Sequence, residues 1–234
     1  TIAKRLVSYA KRSGKDKIVV LHANDISGQL GLNAIQRAIS ANGATLSGDI
    51  EYSLSQESLP AAVPRVKATI ESTGANALFM TATPATALPW LAEMLPASGV
   101  RNASTQFVGM TRWDIPAQTL AIPGIQGGWF ALPDPVATAA FAARYNAAYG
   151  ARPLEFAGLA VDGVAAVGAL VKSGRPNALS GAALTQNAGF SGANGIFRLR
   201  SDGTNERGLA IATISNNKVV FLEQAPKVFE GAGF

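Results

Sequence analysis

The chain carries few of the side chains that enzymes use for catalysis. His22 is its single histidine, it has no cysteine, and its acidic side chains number 15. A Ser-His-Asp triad or a metal-bound base would have to use His22, which ends an apolar run and is better explained as a structural histidine. No glycine motif of the phosphate-binding type is present. The residues therefore predict a protein without a catalytic centre, a metal site or a cofactor.

Polar side chains instead follow the ends of several apolar segments. In open α/β sheets, ligands bind beyond the carboxyl ends of the strands. That rule selects seven candidate ligand-binding residues: Asp25, Ser27, Thr81, Thr83, Thr111, Trp113 and Asp114. Two of them have a competing interpretation, because Trp113 is as well suited to core packing and Thr83, which precedes Pro84, is suited to starting a helix.

The first 132 residues alternate between helical and strand patterns. Apolar strand centres fall at Ile18, Leu46, Leu78 and Phe107. They lie about 30 residues apart, which is the length of a βα unit. Residues 15–132 are therefore predicted to form one parallel, doubly wound sheet with helices on both faces, and the fold class is α/β. The candidate residues should then converge at one edge of that sheet.

Three helices without an intervening strand are predicted next, over 135–149, 156–172 and about 179–185. The second is apolar nearly all the way round, which predicts burial on most sides. Its one acid, Asp162, is expected to cap or bond a neighbouring loop. Nothing in 133–190 supplies the sheet that these helices should cover. Either they cap the first sheet, or the sheet belongs to sequence absent from this chain.

From Gly195 the pattern has a period of two. It predicts an antiparallel meander over 195–223, followed by an extended strap after Pro226. The densest basic group of the chain lies on this meander and is predicted to form a solvated strand face: Arg198, Arg200 and Arg207.

Composition excludes two classes of partner. The net charge of +5 is modest and the basic residues are scattered, whereas nucleic-acid binding needs them massed on one element. No apolar run reaches the ~18 residues that a membrane span needs. We therefore expect no nucleic-acid partner and no membrane-spanning helix in this chain.

Four segments carry a resemblance to a known family. They are 21–29 (LHANDISGQ), 129–136 (WFALPDPV), 141–154 (FAARYNAAYGARPL) and 195–214 (GIFRLRSDGTNERGLAIATI). Together with the order of elements, they resemble type I periplasmic substrate-binding proteins of the leucine-binding-protein-like group. The last segment, read with 129–136, looks closest to the alphaproteobacterial branch of penicillin-binding-protein activators.

The resemblance implies two α/β lobes joined by three crossovers, with a ligand held between them. Residues 1–132 resemble lobe two, and 133–190 resemble the returning helical part of lobe one. Residues 191–234 resemble the last crossover, the meander that joins lobe two, and a tail. The opening strands of lobe one are missing from the pattern, so an additional N-terminal segment of βα units is expected to cover the helices.

Two departures from the family pattern bear on the ligand. Amino-acid receptors of this group commonly have Tyr–Gly where this chain has Ser27 and Gly28, and a carboxylate where it has Thr111. A buried ammonium without a paired carboxylate is unfavourable. Either Asp114 compensates, or the usual amino-acid site is lost, which favours the activator-like branch or a different ligand.

Two classes of function follow from the resemblance, and an enzyme is the least favoured reading. The first is a periplasmic receptor that holds a small polar, amino-acid-like ligand for an ABC permease and closes by a hinge motion. The second is a protein-interaction module that binds a cell-wall synthase. A lipid anchor upstream of this chain is compatible with both.

Overall fold

The computed structural model describes residues 1–55, 57–154 and 156–229. Within them the chain forms two compact units. The sheet unit comprises residues 2–131 and 211–222, and the helical unit comprises Thr1, residues 132–210 and the chain from Glu223. Among the described residues, no helix combines the length and the apolar character needed to cross a membrane.

The described residues form helices and strands in alternation over the first half of the chain. The helices are α1 (Ile2–Arg12), α2 (Ile26–Asn42), α3 (Ser58–Thr73), α4 (Leu88–Ala97), α5 (Pro135–Tyr149), α6 (Ala157–Lys172) and α7 (Gly181–Leu184). The strands are β1 (Lys17–Ala23), β2 (Thr45–Tyr52), β3 (Ala77–Met80), β4 (Gln106–Gly109), β5 (Trp129–Pro133), β6 (Phe190–Gly192), β7 (Gly195–Leu199), β8 (Asn205–Arg207), β9 (Leu209–Ser215) and β10 (Lys218–Glu223).

Seven of these strands form one sheet in the order β10-β9-β5-β4-β3-β1-β2. The strands β1 to β5 are mutually parallel, and each predicted strand centre lies inside its strand. The predicted α/β fold with a parallel sheet is therefore confirmed. All four residues of β3 and of β4 are buried, as expected for parallel strands covered on both faces.

Local signals in the sequence set the ends of the helices that cover this sheet. Asp25 caps the amino end of α2, and Gly43 ends that helix in the left-handed conformation, at a φ of 62°. Helix α1 packs on α2, and α3 packs on α4. Because right-handed crossovers lead from β1 outward to β2 and then back to β3 and β4, α2 lies on one face and α3 and α4 on the other.

The C-terminal strands differ from the predicted single meander. Strand β7 pairs antiparallel with β6 and β8 in a three-stranded sheet, whereas β9 and β10 belong to the seven-stranded sheet. The break falls at Gly208, whose amide donates to the carbonyl of Ile196 at 2.9 Å. A Cβ at Gly208 would lie 2.7 Å from the Ile196 side chain, so this close approach requires glycine. A continuous period of two does not show which sheet a strand joins.

Helix α6 is far less buried than its composition predicts. Its buried residues recur every four positions and form one narrow stripe: Gly158, Asp162, Ala166 and Leu170. That stripe faces β6. Val164 is 76% exposed and Val171 is 57% exposed. The prediction of burial on most sides is therefore wrong for the described residues.

A buried ion pair fixes α6 to the small sheet. Asp162 is 1% exposed and accepts hydrogen bonds from the amide of Ala193 at 2.5 Å and from Nη1 of Arg207 at 2.7 Å. The predicted bond to a neighbouring loop is confirmed. The predicted solvated basic face is wrong for Arg207, which also stacks over Phe197, and for Arg198, which binds Glu206 at 2.8 Å. Arg200 is exposed, as predicted.

The segment after Pro226 packs within the helical unit. Lys227 forms an ion pair with Asp134, the N-cap residue of α5, and Arg198 stacks over the buried ring of Phe229, 4.5 Å from its centroid. The segment packs as far as residue 229, but residues 227 and 228 form a bend, so it is not extended throughout as predicted. The rest of that prediction, residues 230–234, lies outside the described residues.

Candidate functional site

The carboxyl ends of three adjacent strands lie level with one another in the sheet unit. Leu21 of β1 is paired with Met80 of β3, which is paired with Gly109 of β4. All seven candidate residues follow these three strand ends. The structure therefore places them along one edge, here called the carboxyl edge, although their role in ligand binding stays a prediction.

Asp25 and Ser27 lie at the amino end of α2 and are both exposed. Oδ1 of Asp25 accepts a hydrogen bond from the amide of Gly28 at 2.7 Å. The turn is tight, since a Cβ at Gly28 would lie 2.0 Å from the carbonyl oxygen of Ala23. Asp25 thus has a structural role as a cap, and its carboxylate still faces solvent.

Thr81 forms its hydrogen bonds and packing contacts within the protein. Its Oγ1 accepts a hydrogen bond from the amide of Ala23 at 3.1 Å, and its methyl group packs against Gly31 of α2. Thr81 is also hydrogen-bonded to the side chain of Tyr52. Burial, and to a smaller extent the charge of Asp25, raises the pKa of Tyr52 to about 12 although the bond to Thr81 acts to lower it. Thr81 therefore ties β1, β2 and β3 together at the carboxyl edge.

Thr83 lies in the loop between β3 and α4 and is half-buried. Its hydroxyl is 2.9 Å from that of Thr86, and its carbonyl accepts from the amides of Thr86 and Leu88. Helix α4 begins only at Leu88. Thr83 thus shapes the turn that leads into α4, and one hydroxyl can still donate outward from the pair.

Thr111 and Trp113 follow β4. Oγ1 of Thr111 donates to the carbonyl of Ala82 at 3.3 Å, which joins the loops after β3 and β4. Trp113 is fully buried. A Cβ at Gly109 would lie 2.2 Å from its ring, and one at Gly128 would lie 2.4 Å away. Of its two expected roles, Trp113 has the packing one, since a ring with no exposed surface cannot stack on a ligand.

Asp114 is held by Arg112, a residue that the strand-end rule did not select. Nε of Arg112 donates to Oδ1 of Asp114 at 2.6 Å, and Nη2 donates to Oδ2 at 2.5 Å. Both carboxylate oxygens are thus engaged, and 31% of the Arg112 side chain stays exposed. Its place between two selected residues, Thr111 and Trp113, was the signal that could have identified it.

His22 has the surroundings of a structural residue. It is 1% exposed, and its Nδ1 lies 3.0 Å from the carbonyl oxygen of Ala23, so this nitrogen carries the proton. Its Nε2 lies 3.7 Å from Oδ2 of Asp49, which is too long for a hydrogen bond. Among the described residues, Nε2 of His22 has no hydrogen-bond partner, so no serine hydroxyl is hydrogen-bonded to it.

Comparison with known protein families shows which family the chain belongs to. The family profile described as periplasmic binding protein matches residues 1–218. The chain belongs to this family, in its type I, leucine-binding-protein-like group. Comparison with curated protein sequences gave no significant match.

Solved structures share the fold at low sequence identity. A structure assigned to a branched-chain amino acid ABC transporter of Rhodospirillum rubrum superposes with a TM-score of 0.75 and 17% identity, over 94% of this chain and 64% of that one. An ABC transporter substrate-binding protein of Desulfitobacterium hafniense in complex with Leu superposes with a TM-score of 0.67 and 17% identity, over 94% of this chain and 64% of that one. A solute binding protein of R. palustris in complex with benzoate superposes with a TM-score of 0.64 and 18% identity, over 99% of this chain and 64% of that one. The chain thus spans less than two thirds of the length of these relatives.

Proposed function

We propose that the chain is the ligand-binding part of a periplasmic receptor that delivers a small organic acid to an ABC permease. The observation that carries the proposal is the carboxyl edge, where the loops after three level, parallel strands carry exposed or half-buried polar groups in a family of binding proteins. Relatives of this fold are described with leucine and with benzoate. The shared feature of those two molecules is a carboxylate.

Arg112 is the residue best suited to receive that carboxylate. Its guanidinium is the positive group among the residues that follow β4, and Asp114 fixes its orientation through Nε and Nη2. Nη1 is left to meet another acceptor, and charge-assisted bonds from arginine to carboxylates are among the strong ones. The exposed hydroxyl of Ser27 supplies a further donor at the same edge.

The same ion pair argues against a high-affinity α-amino acid site. An ammonium group needs a carboxylate partner, but both oxygens of Asp114 already accept from Arg112. The hydroxyl of Thr111 donates to Ala82. Asp25 is the remaining acid at this edge, and its Oδ1 already accepts from the amide of Gly28 as the cap of α2. We therefore propose an organic acid without an α-ammonium group, such as an aromatic acid, as the preferred ligand.

Isothermal titration calorimetry with benzoate and L-leucine tests this proposal. Benzoate should bind more tightly than L-leucine, and Arg112→Gln should weaken benzoate binding about tenfold or more, the scale of one lost charge-assisted bond. Arg101→Gln is the matched control, since Arg101 is an exposed arginine of the same unit that precedes β4. Equal affinity of wild type and Arg112→Gln for benzoate would contradict the role of Arg112.

The cell-wall synthase alternative is not proposed. The relatives named above are described as transporter and solute-binding proteins, and their descriptions contain nothing about synthase activation. Periplasmic location is part of the proposal, because it is inferred from the family.

A further inference from the structure

A groove of about 510 Å³ opens between the first turns of α3 and α4. Its lining comes from the loops after β2 and β3 and from the two helices that follow them. The side chains that define its chemistry are Leu54, Leu59, Trp90 and Met94, with the hydroxyls of Ser55 and Thr86. Trp90 is 63% exposed and Leu54 is 58% exposed, although both are large apolar residues.

The lining indicates the class of occupant. Among the described residues of the groove, none carries a charge. An indole face, a thioether and aliphatic walls favour an aromatic ring or a branched aliphatic chain. The volume lies within the roughly 300–1,000 Å³ of small-molecule sites. A charged head group would find no partner in the described part of this groove and must lie elsewhere.

The groove adjoins the carboxyl edge. Thr86 lines it, and the hydroxyl of Thr86 is 2.9 Å from that of Thr83, a residue of the edge itself. We infer that the groove receives the apolar part of the same ligand whose carboxylate binds at the carboxyl edge. The inference rests on the proposed function and adds to it a binding place for the uncharged ring or branched chain of the carboxylic acid.

Heteronuclear NMR with two matched probes tests the inference. 3-Phenylpropionate and propionate share a carboxylate and differ by a phenyl ring. Both should shift the backbone amides of Ser27 and Thr83, whereas 3-phenylpropionate alone should shift the indole N–H signal of Trp90. The indole signals of Trp113 and Trp129 should stay in place and serve as internal references. Trp90→Ala identifies the Trp90 signal by its loss.

The affinity of variants gives a second readout. Trp90→Ala should weaken 3-phenylpropionate binding about tenfold, as expected for removing the main apolar wall, and should leave propionate binding unchanged. Leu30→Ala is the control, because Leu30 is a similarly exposed apolar residue on α2, outside the groove. Unchanged 3-phenylpropionate affinity in Trp90→Ala would overturn the inference.

The outcomes also separate the inference from the proposed function. Shifts of Ser27 and Thr83 without a shift of the Trp90 indole would overturn the groove and leave the receptor function standing. A Trp90 shift without shifts at the carboxyl edge would show an independent site and overturn the shared ligand. No shift of the edge amides with either probe would count against the proposed function itself.

Discussion

Thr81 is a structural residue at the carboxyl edge, and its removal should lower stability. Thr81→Val keeps the shape of the side chain but leaves the amide of Ala23 and the hydroxyl of Tyr52 without their partner. We expect the free energy of unfolding to fall by about 1–3 kcal/mol, the cost of buried groups left unpaired. Urea unfolding measures this change. Thr45→Val, at an exposed position of β2, should change stability by less than about 0.5 kcal/mol, and an equal loss in both variants would contradict the role of Thr81.

Asp134 makes the stability of the helical unit depend on pH. Burial acts to raise its pKa, but the hydrogen bond from Lys227 and those from the amides of Ala137 and Val136 outweigh burial, so the pKa of Asp134 is lowered. A carboxyl group with a lowered folded-state pKa stabilises the protein above its unfolded pKa of about 3.9. That contribution is lost as the pH falls through the lowered value.

Comparison with Asp134→Asn checks this dependence. Asparagine still caps α5 but carries no charge for Lys227. The wild type should be the more stable protein at pH 6, and the difference in unfolding free energy should shrink as the pH falls below about 4. Urea unfolding from pH 3 to pH 7 gives the two curves. A difference that stays constant across that range would contradict the ionised state of Asp134.

The strand-end rule predicted the carboxyl edge, but it did not predict which side chains there are buried or already hydrogen-bonded. Its prediction rests on where each strand ends, which the spacing of apolar segments indicates. Whether a hydroxyl is already bonded depends on a neighbouring loop, as for Thr81 and Thr111, and this is not encoded locally. Trp113 is buried because Gly109 and Gly128 leave room for its ring. Arg112 was missed because the rule does not consider ion pairs between neighbouring residues, although Asp114, its partner, was selected two residues away.

At the scale of elements, the first half of the fold was predictable and the second half only partly. Strands β1, β3 and β4 contain short apolar runs, and β2 ends in alternating apolar and polar residues, so the type and spacing of these strands are local properties. The division of the C-terminal strands between two sheets depends on Gly208 and on which partner strand is free. The pairing of Asp162 with Arg207 joins residues 45 positions apart, which no local pattern reveals.

The ion pair between Asp162 and Arg207 should be a main support of α6. Asp162→Ala leaves the half-buried Arg207 and the buried amide of Ala193 without an acceptor. Removing one partner of a buried pair typically costs about 3–5 kcal/mol, and solvent near the 21% exposed Arg207 side chain places the expected loss at the lower end. Circular dichroism during urea unfolding would record this loss.

A double variant separates the charge from the packing. Asp162→Leu with Arg207→Leu removes both charges and should recover part of the stability lost in Asp162→Ala. Arg175→Leu, at an exposed arginine of the same unit, controls for the loss of a positive charge. If Asp162→Ala unfolds at the wild-type urea concentration, the ion pair does not hold α6 in place.

At the scale of the molecule, the two units differ in how completely their apolar surfaces are covered. In the sheet unit, β1, β3 and β4 are buried beneath helices on both faces. In the helical unit, α6 exposes all four of its valines, and the large apolar residues Leu154 and Phe156 before it are also exposed. Relatives of the same fold are longer than this chain, which spans 64% of their length. We therefore expect the exposed face of α6 to pack against a further apolar surface.

The exposed face of α6 should make the 234-residue chain associate with itself. Burying one large aliphatic side chain is worth about 1.5–3 kcal/mol, and contiguous exposed apolar patches promote association. Light scattering at increasing concentration should show dimers or larger species, whereas Val164→Lys with Val171→Lys should shift the chain toward monomer. Leu30→Lys, at an exposed apolar position of α2, should leave association unchanged. A wild-type chain that stays monomeric at high concentration would refute the expectation that this face needs a covering segment.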